Sequence, residues 1–93
     1  MKYFEFKEPY YALIQAGSDG EAIETYDYQV ARVEDKEVEQ EVIESMNEIT
    51  EKDAWKNYMA GVAESGEKIP VEELKEIFGK QYNTVLLVDS SLI

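Results

Sequence analysis

The chain has 93 residues, contains no cysteine and no histidine, and carries a formal net charge of −12 from 21 acidic and 9 basic residues. Without cysteine there is no disulfide, no thiolate nucleophile and no sulfur-ligated metal, and without histidine the usual general base is missing. The negative charge argues against direct binding to nucleic acid or to an anionic membrane, because such binding depends on Lys and Arg that meet phosphate groups.

Length and composition predict one domain that spans residues 1–93. The hydrophobic fraction of 44% is that of a globular protein, and a chain of this size has room for one modest core. The sequence contains neither a signal peptide nor an apolar run long enough to cross a bilayer, so the expected compartment is the cytoplasm.

The amino-terminal residues are rich in aromatic and β-branched types and predict two short strands, at 2–7 and 10–16. Pro9 stands between them, and because proline has no N–H it fits a turn or a strand edge. We therefore expect a hairpin or one bent edge strand. Phe4 and Phe6 share a face and are the better core candidates of this segment.

A helix is expected to open at Ser18, because Glu21 follows three residues later as in a capping box. Its inward stripe consists of Ala22, Ile23 and Tyr26. Residues 29–34 then alternate like a strand, although Val30 and Val33 also continue the helical spacing. The β-branched residues that cluster there favour a strand at about 29–34.

Residues 34–53 hold nine carboxylates and only two lysines. Apolar residues recur among these charges at steps of four, four and three, which is the spacing of one helical face. They are Val38, Val42, Met46 and Ile49. The pattern predicts a helix at roughly 36–47 that is buried on one side and strongly acidic on the other.

Two helices and a strand are predicted in the second half. Thr50 is a new N-cap, and its helix ends near Gly66, which accepts a positive φ without a Cβ penalty. Pro70 starts a short helix that is closed by Gly79. Residues 84–88 form a continuous apolar run, which predicts a strand buried on both faces and the best candidate for the centre of the sheet. The predicted fold is α+β, a small mixed sheet of about four strands with three to four helices packed on it.

The acidic helix face is the most specific feature of the sequence. Its main carboxylates follow one another about one helical turn, or 5.4 Å, apart, whereas duplex DNA carries about one negative charge per 1.7 Å of its axis. The candidate contact residues are Glu37, Glu41, Glu44 and Glu48. Such a face can imitate phosphate toward a basic groove, and the alternative is a solvated helix face, since charged residues lie outside by default.

Support for catalysis is poor. There is no glycine-rich phosphate loop and no calcium-loop pattern, so no catalytic residue, metal ligand or cofactor is predicted. A metal-dependent hydrolase that uses the glutamates stays open as an enzymatic alternative, because Mg²⁺ and Ca²⁺ take oxygen ligands.

Two largely apolar stretches stand near the ends of the chain, at residues 10–16 and 85–93, and a helix start lies at Glu21, Ala22, Ile23 and Tyr26. On these residues the chain resembles short proteins encoded by phages and prophages of Gram-positive bacteria. These motifs are apolar framework, so no catalytic residue is carried over. The resemblance implies a mobile-element protein that acts inside a bacterial cell, in a class whose small acidic members include inhibitors that occupy the nucleic-acid-binding groove of host enzymes.

The leading hypothesis is a non-enzymatic binding protein whose acidic helix face docks on a partner with a basic surface, such as a host protein that handles nucleic acid. The runner-up is a structural or assembly module that self-associates through an exposed strand edge or an aromatic patch. Neither hypothesis involves direct contact with nucleic acid or membrane, and the sequence does not indicate the oligomeric state.

Overall fold

The structure, a computed structural model, describes residues 1–66, 68–80 and 82–88. The strands within these residues are β1 (Lys2–Phe6), β2 (Ala12–Ala16), β3 (Asn47–Ile49) and β4 (Thr84–Val88). The helices are α1 (Asp19–Gln29), α2 (Lys36–Ser45), α3 (Glu51–Ser65) and α4 (Val71–Phe78). The predicted α+β class is confirmed. Residues 89–93, where the carboxy-terminal resemblance continues, lie outside the described part.

The strands form one sheet in the order β3-β1-β2-β4, and every neighbouring pair is antiparallel. The predicted hairpin is confirmed, since β1 and β2 pair from Lys2↔Ala16 to Phe6↔Ala12. The expectation of a mixed sheet is wrong. β3 and β4 add to the two outer sides of the hairpin, and each runs opposite to the hairpin strand that it meets.

β4 lies at an edge of the sheet, so the central position predicted for it is wrong. Helices cover both of its faces: Val85 packs against the core on one side, while Leu86 and Leu87 pack against the core on the other. Leu87 pairs with Leu13 and Val85 pairs with Ile14, so Leu86 is the extra residue of a bulge in β4, and two consecutive leucines can pack on the same core. An apolar run therefore indicates that both faces of a strand are covered, but it does not indicate the position of the strand in the sheet.

Alternation along β1 and β2 divides the core into two layers. On one face Phe4, Phe6 and Ile14 pack with Tyr26 of α1 and Val42 of α2, and we call this the α1–α2 layer. The sheet is thus covered on this face by the first two helices. None of the helices in the described ranges is long and apolar enough to span a membrane.

The other face of the sheet packs against the last two helices, in what we call the α3–α4 layer. Tyr3 and Leu13 meet Tyr58 of α3 and Leu74 and Phe78 of α4. The rings of Tyr3 and Phe78 are stacked, with centroids 4.8 Å apart. Because β1 and β2 are covered on both faces, all five residues of β2 are buried.

The strand predicted at 29–34 is wrong. α1 continues into this range, and the N–H of Val30 donates to the carbonyl of Tyr26 at 2.9 Å. The N–H of Val33 donates to Oδ1 of Asp27 at 2.6 Å. These bonds hold the segment against α1 rather than beside a strand, and its apolar side chains pack on the core of the α1–α2 layer.

Three of the predicted helix boundaries are confirmed by their caps. The hydroxyl of Ser18 accepts from the N–H of Glu21 at 3.2 Å, and the hydroxyl of Thr50 accepts from the N–H of Asp53 at 3.1 Å. Gly66 ends α3 in the left-handed region, with φ of 78°. Each cap satisfies a backbone group that the first or last helical turn leaves without a partner.

Candidate functional site: an acidic surface on the α1–α2 layer

α2 carries most of the predicted site, and its caps define its bounds. Oδ1 of Asp35 accepts a hydrogen bond from the N–H of Val38 at 2.8 Å, which starts the helix. The helix ends at Ser45 and not at the predicted residue 47, because Met46 is extended, with φ of −73° and ψ of 129°. The hydroxyl of Ser45 accepts from the N–H of Lys7 at 3.2 Å, which fixes the end of α2 against the β1–β2 connection.

Three of the four candidate contact residues share one exposed flank of α2. Glu37, Glu41 and Glu44 are separated by four and three residues, so they lie on the same side of the helix. All three are exposed, whereas Val42 is fully buried on the inward side. This part of the site has the helical arrangement that the sequence predicts.

Glu48 is not on the helix, so its predicted position on the helical face is wrong. It lies in β3, directly opposite Phe4. Opposed residues of an antiparallel pair point to the same face of a sheet, and Phe4 belongs to the core of the α1–α2 layer. Glu48 therefore lies on the same side of the sheet as α2, but at the sheet edge, with its Oε1 3.9 Å from Nζ of Lys2.

The charge is unevenly distributed between the two layers. Residues 17–46, which include α1 and α2, hold ten acidic and two basic residues, whereas residues 51–80 hold seven acidic and five basic residues. We call the exposed side of α1 and α2, together with Glu48, the acidic surface. Sequence reasoning did not assign the α1 carboxylates to the site, because only tertiary packing brings α1 to the same side of the sheet as α2.

Few carboxylates of the acidic surface are neutralised. The ion pairs found in the described part of the chain join Lys2 to Glu48 at 3.9 Å and Arg32 to Glu34 at 3.8 Å. All four side chains are more than half exposed, so water and salt screen both pairs and they contribute little to stability. The flank of α2 has no ion pair in the same residues.

A polar cleft of about 280 Å³ opens on the α1 side of this surface. It is lined by Glu21, Glu24, Thr25, Tyr28, Gln29 and Asn83. Tyr28 is 72% exposed, and the guanidinium carbon of Arg32 lies 5.9 Å from the centroid of its ring. Carboxylates beside an exposed aromatic face suit the head group of a lysine or arginine side chain.

The described residues do not bring three acidic side chains together as ligands for a cation. The half-buried carboxylate of Glu5 is instead engaged by neutral donors, since its Oε2 accepts from the hydroxyl of Tyr11 at 2.9 Å and from Nδ2 of Asn57 at 3.2 Å. These bonds connect β1 to α3 and to the residue before β2.

Alkaline conditions are expected to lower the free energy of unfolding. Burial raises the pKa of Tyr3, Tyr11 and Tyr26 above the ordinary value of 10.0, and the hydrogen bond to Glu5 adds to the effect at Tyr11. These phenols keep their protons in the folded state at a pH where the unfolded chain has lost them. Their contribution to the free energy of unfolding is therefore complete below about pH 10 and is lost as the pH rises through their pKa values in the folded protein. Urea unfolding at about pH 8, 10 and 11 measures this loss.

Two phenylalanine variants test the cause of this pH dependence. Tyr11→Phe removes one of the phenols whose pKa is raised, so the fall in the free energy of unfolding above about pH 10 should become shallower. Tyr28→Phe removes a hydroxyl from a ring that is 72% exposed and should keep the slope of the parent protein. The same slope in all three proteins would contradict the assignment to Tyr11.

The fold and the acidic surface together define a class: a small α+β domain with one sheet between two helical layers and negative charge concentrated on one layer. Residues 1–87 match the YosH C-terminal domain, and the chain belongs to this family. It is 34% identical over 93 residues to the SPbeta prophage-derived uncharacterized protein YosH of Bacillus subtilis (strain 168). The alignment covers 100% of this chain and 57% of that protein, so the chain spans little more than half the length of this relative.

No solved structure matches the chain. The expected relationship to prophage proteins of Gram-positive bacteria is confirmed at the level of the family.

Proposed function

We propose that this domain is a non-enzymatic binding module that acts inside a bacterial cell and docks its acidic surface on the basic, nucleic-acid-binding surface of a protein partner. The observation that carries the proposal is the concentration of ten acidic and only two basic residues in residues 17–46, on the side of the sheet covered by α1 and α2. The similarity to a prophage-derived protein supports a bacterial host as the setting.

The physical basis is electrostatic attraction between the acidic surface and a surface built for phosphate. A groove that binds nucleic acid presents Lys and Arg to a dense row of negative charges. Glu37, Glu41 and Glu44 supply such a row at intervals of about one helical turn, or 5.4 Å. Exposed charges of one sign also steer the approach of an oppositely charged partner, which makes association fast and sensitive to salt.

A pull-down with variant baits tests the proposal. The first bait carries Glu37→Gln, Glu41→Gln, Glu44→Gln and Glu48→Gln, and it is compared with the parent protein in a lysate of Bacillus subtilis at low salt. We expect the variant to retain the partner about fourfold to a thousandfold less well, because four exposed ionic contacts of about 0.2–1 kcal/mol each sum to about 0.8–4 kcal/mol and 1.4 kcal/mol is a factor of ten. Bound proteins are eluted with a salt gradient and identified by mass spectrometry.

A matched bait removes the same number of charges from the α3–α4 layer. It carries Glu64→Gln, Glu72→Gln, Glu73→Gln and Glu76→Gln, all at exposed positions, and it should retain the partner as the parent does. Duplex DNA added to the lysate should release the partner, since both ligands compete for one basic surface. Equal capture by the three folded baits, or capture that duplex DNA leaves unchanged, would refute the proposal.

A second candidate function is self-association, and the edge position of β4 favours it. The outer side of β4 has no neighbouring strand in the described residues, and its half-buried side chains are apolar except for Thr84. Edge strands of this kind are templates for pairing with another chain. Light scattering at low and high salt separates the candidates, since a stable oligomer that is indifferent to salt favours self-association and a monomer favours the acidic-surface proposal.

A further inference from the structure

The α3–α4 layer carries a second candidate surface, an apolar groove with lysines at its rim. A groove of about 470 Å³ lies between α3 and α4. It is lined by Glu51, Lys52, Trp55, Lys75, Phe78 and Gly79. The acidic surface lies on the other side of the sheet, so the groove is a separate site.

The floor of the groove is aromatic and held in place by its own packing. Trp55 meets the ring of Phe78 edge to face, with centroids 5.2 Å apart and planes at 71°. Phe78 is in turn stacked on Tyr3, with centroids 4.8 Å apart. Trp55 is half-buried, and its indole N–H donates no hydrogen bond within the described part of the chain. A rigid apolar floor with an available donor suits an apolar side chain followed by a backbone carbonyl.

The rim of the groove carries two lysines, Lys52 on α3 and Lys75 on α4, and one carboxylate, that of Glu51. Neither lysine forms an ion pair with the residues that the structure describes. Lys56 follows Lys52 by one helical turn, and Val71, which is 42% exposed, precedes Lys75 by one turn, so both lie on the same sides of their helices as the rim lysines. In a chain with a net charge of −12, the two rim lysines are local contact positions for negatively charged groups of a partner.

We propose that the groove binds an acidic peptide segment of a partner protein, which inserts one apolar side chain over Trp55 and Phe78 and places carboxylates at Lys52 and Lys75. Glu51 lines the same groove, and its carboxylate can accept a hydrogen bond from a peptide N–H but repels phosphate and carboxylate groups alike. The peptide therefore places an N–H at Glu51 and its own carboxylates at the two lysines. Grooves between helices are common sites for amphipathic peptides of this kind.

Trp55 makes the test direct, because it is the only tryptophan in the chain and its fluorescence reports on the groove without a label. The probe is the peptide acetyl-Asp-Asp-Leu-Phe-Asp-Asp-Leu-amide, titrated at low salt. We expect a saturable change in Trp55 emission with a Kd below about 1 mM. A control peptide with lysine in place of every aspartate should give no saturable change, although it has the same apolar residues.

Charge-reversal variants connect the binding to the rim. The pair Lys52→Glu and Lys75→Glu should weaken binding of the acidic peptide about tenfold or more, since both contacts become repulsive. The pair Lys7→Glu and Lys36→Glu changes the net charge by the same amount at exposed positions outside the α3–α4 layer and should weaken binding much less.

Four results would overturn the proposal. The first is the absence of a saturable change with the acidic peptide, and the second is equal binding of the basic peptide. The third is an equal loss of affinity in the two charge-reversal double variants, which would mean that the net charge of the protein and not the rim lysines causes the effect. The fourth is tighter binding of adenosine monophosphate than of the peptide, which would make the groove a nucleotide site. None of these outcomes depends on the acidic surface.

Discussion

Replacing Phe6 by alanine is expected to lower the free energy of unfolding by about 3–5 kcal/mol. The side chain is fully buried, and its ring centroid lies 4.7 Å from that of Tyr26. The ring fills the space between β1 and α1, and β1 is paired on both sides by other strands, so it cannot move freely to close the cavity. Domains of this kind have about 5–15 kcal/mol of stability in total, so this one change removes a large fraction of it.

Urea unfolding followed by circular dichroism measures the effect of Phe6→Ala, and two variants calibrate it. Phe6→Leu keeps most of the volume and should cost less than about 1.5 kcal/mol. Tyr28→Ala removes a ring that is 72% exposed and should change the stability by no more than about 0.5 kcal/mol. A loss below about 1 kcal/mol for Phe6→Ala would contradict the position of this residue in the core.

Local chemistry is the part of the fold that could be predicted from the sequence. Ser18 and Thr50 cap helices because a hydroxyl can accept from an N–H three residues on, and this depends only on neighbours in the chain. Gly66 ends α3 with φ of 78° for an equally local reason. The hairpin of β1 and β2 is also local, since only a short connection separates its strands.

The strand expected at 29–34 shows where local preference fails. Val30 and Val33 have the branching that favours strands, but this preference reflects packing on a half-buried surface and does not by itself supply a strand to pair with. The segment forms its hydrogen bonds with Tyr26 and Asp27 instead. Its apolar side chains pack against the core although the segment is not a strand. The β propensity of these residues therefore indicated burial and not strand pairing.

β3 could not be predicted, because it has only three residues and two of them are polar. Its central residue, Glu48, continues the helical spacing of α2, so periodicity alone assigns it to the helix. The strand exists because Asn47–Ile49 complete the pairing of β1 along Tyr3–Glu5. This contact joins residues more than forty positions apart in the sequence, and no local pattern encodes it.

The candidate site was predicted in its centre but not in its extent. The exposed flank formed by Glu37, Glu41 and Glu44 follows from helical spacing and from the burial of Val42. The carboxylates of α1 join the same surface only because α1 and α2 cover the same face of the sheet. The groove beside Trp55 was not predicted for a similar reason, since its two rim lysines come from different helices.

The packing of α3 on β4 leads to a second large expected effect. Replacing Gly61 by alanine should destabilise the protein by about 1–2 kcal/mol, although alanine favours a helix over glycine by about 1 kcal/mol. A Cβ at this position would lie 2.6 and 2.8 Å from the two Cδ atoms of Leu87 and 3.2 Å from its Cγ. Because the Cγ is also crowded, rotation of the end of the leucine does not relieve the contact, and α3 has to move away from the sheet.

A double-mutant cycle separates the steric effect from the helix preference. Leu87→Ala alone should cost on the order of 2 kcal/mol, because it removes part of the α3–α4 core. In that background Gly61→Ala should become stabilising by about 0.5–1 kcal/mol, since the obstacle is gone and only the helix preference remains. The change of sign implies a coupling of at least about 1.5 kcal/mol between the two positions. Stabilisation by Gly61→Ala in both backgrounds to the same extent would mean that α3 does not approach β4 at this residue.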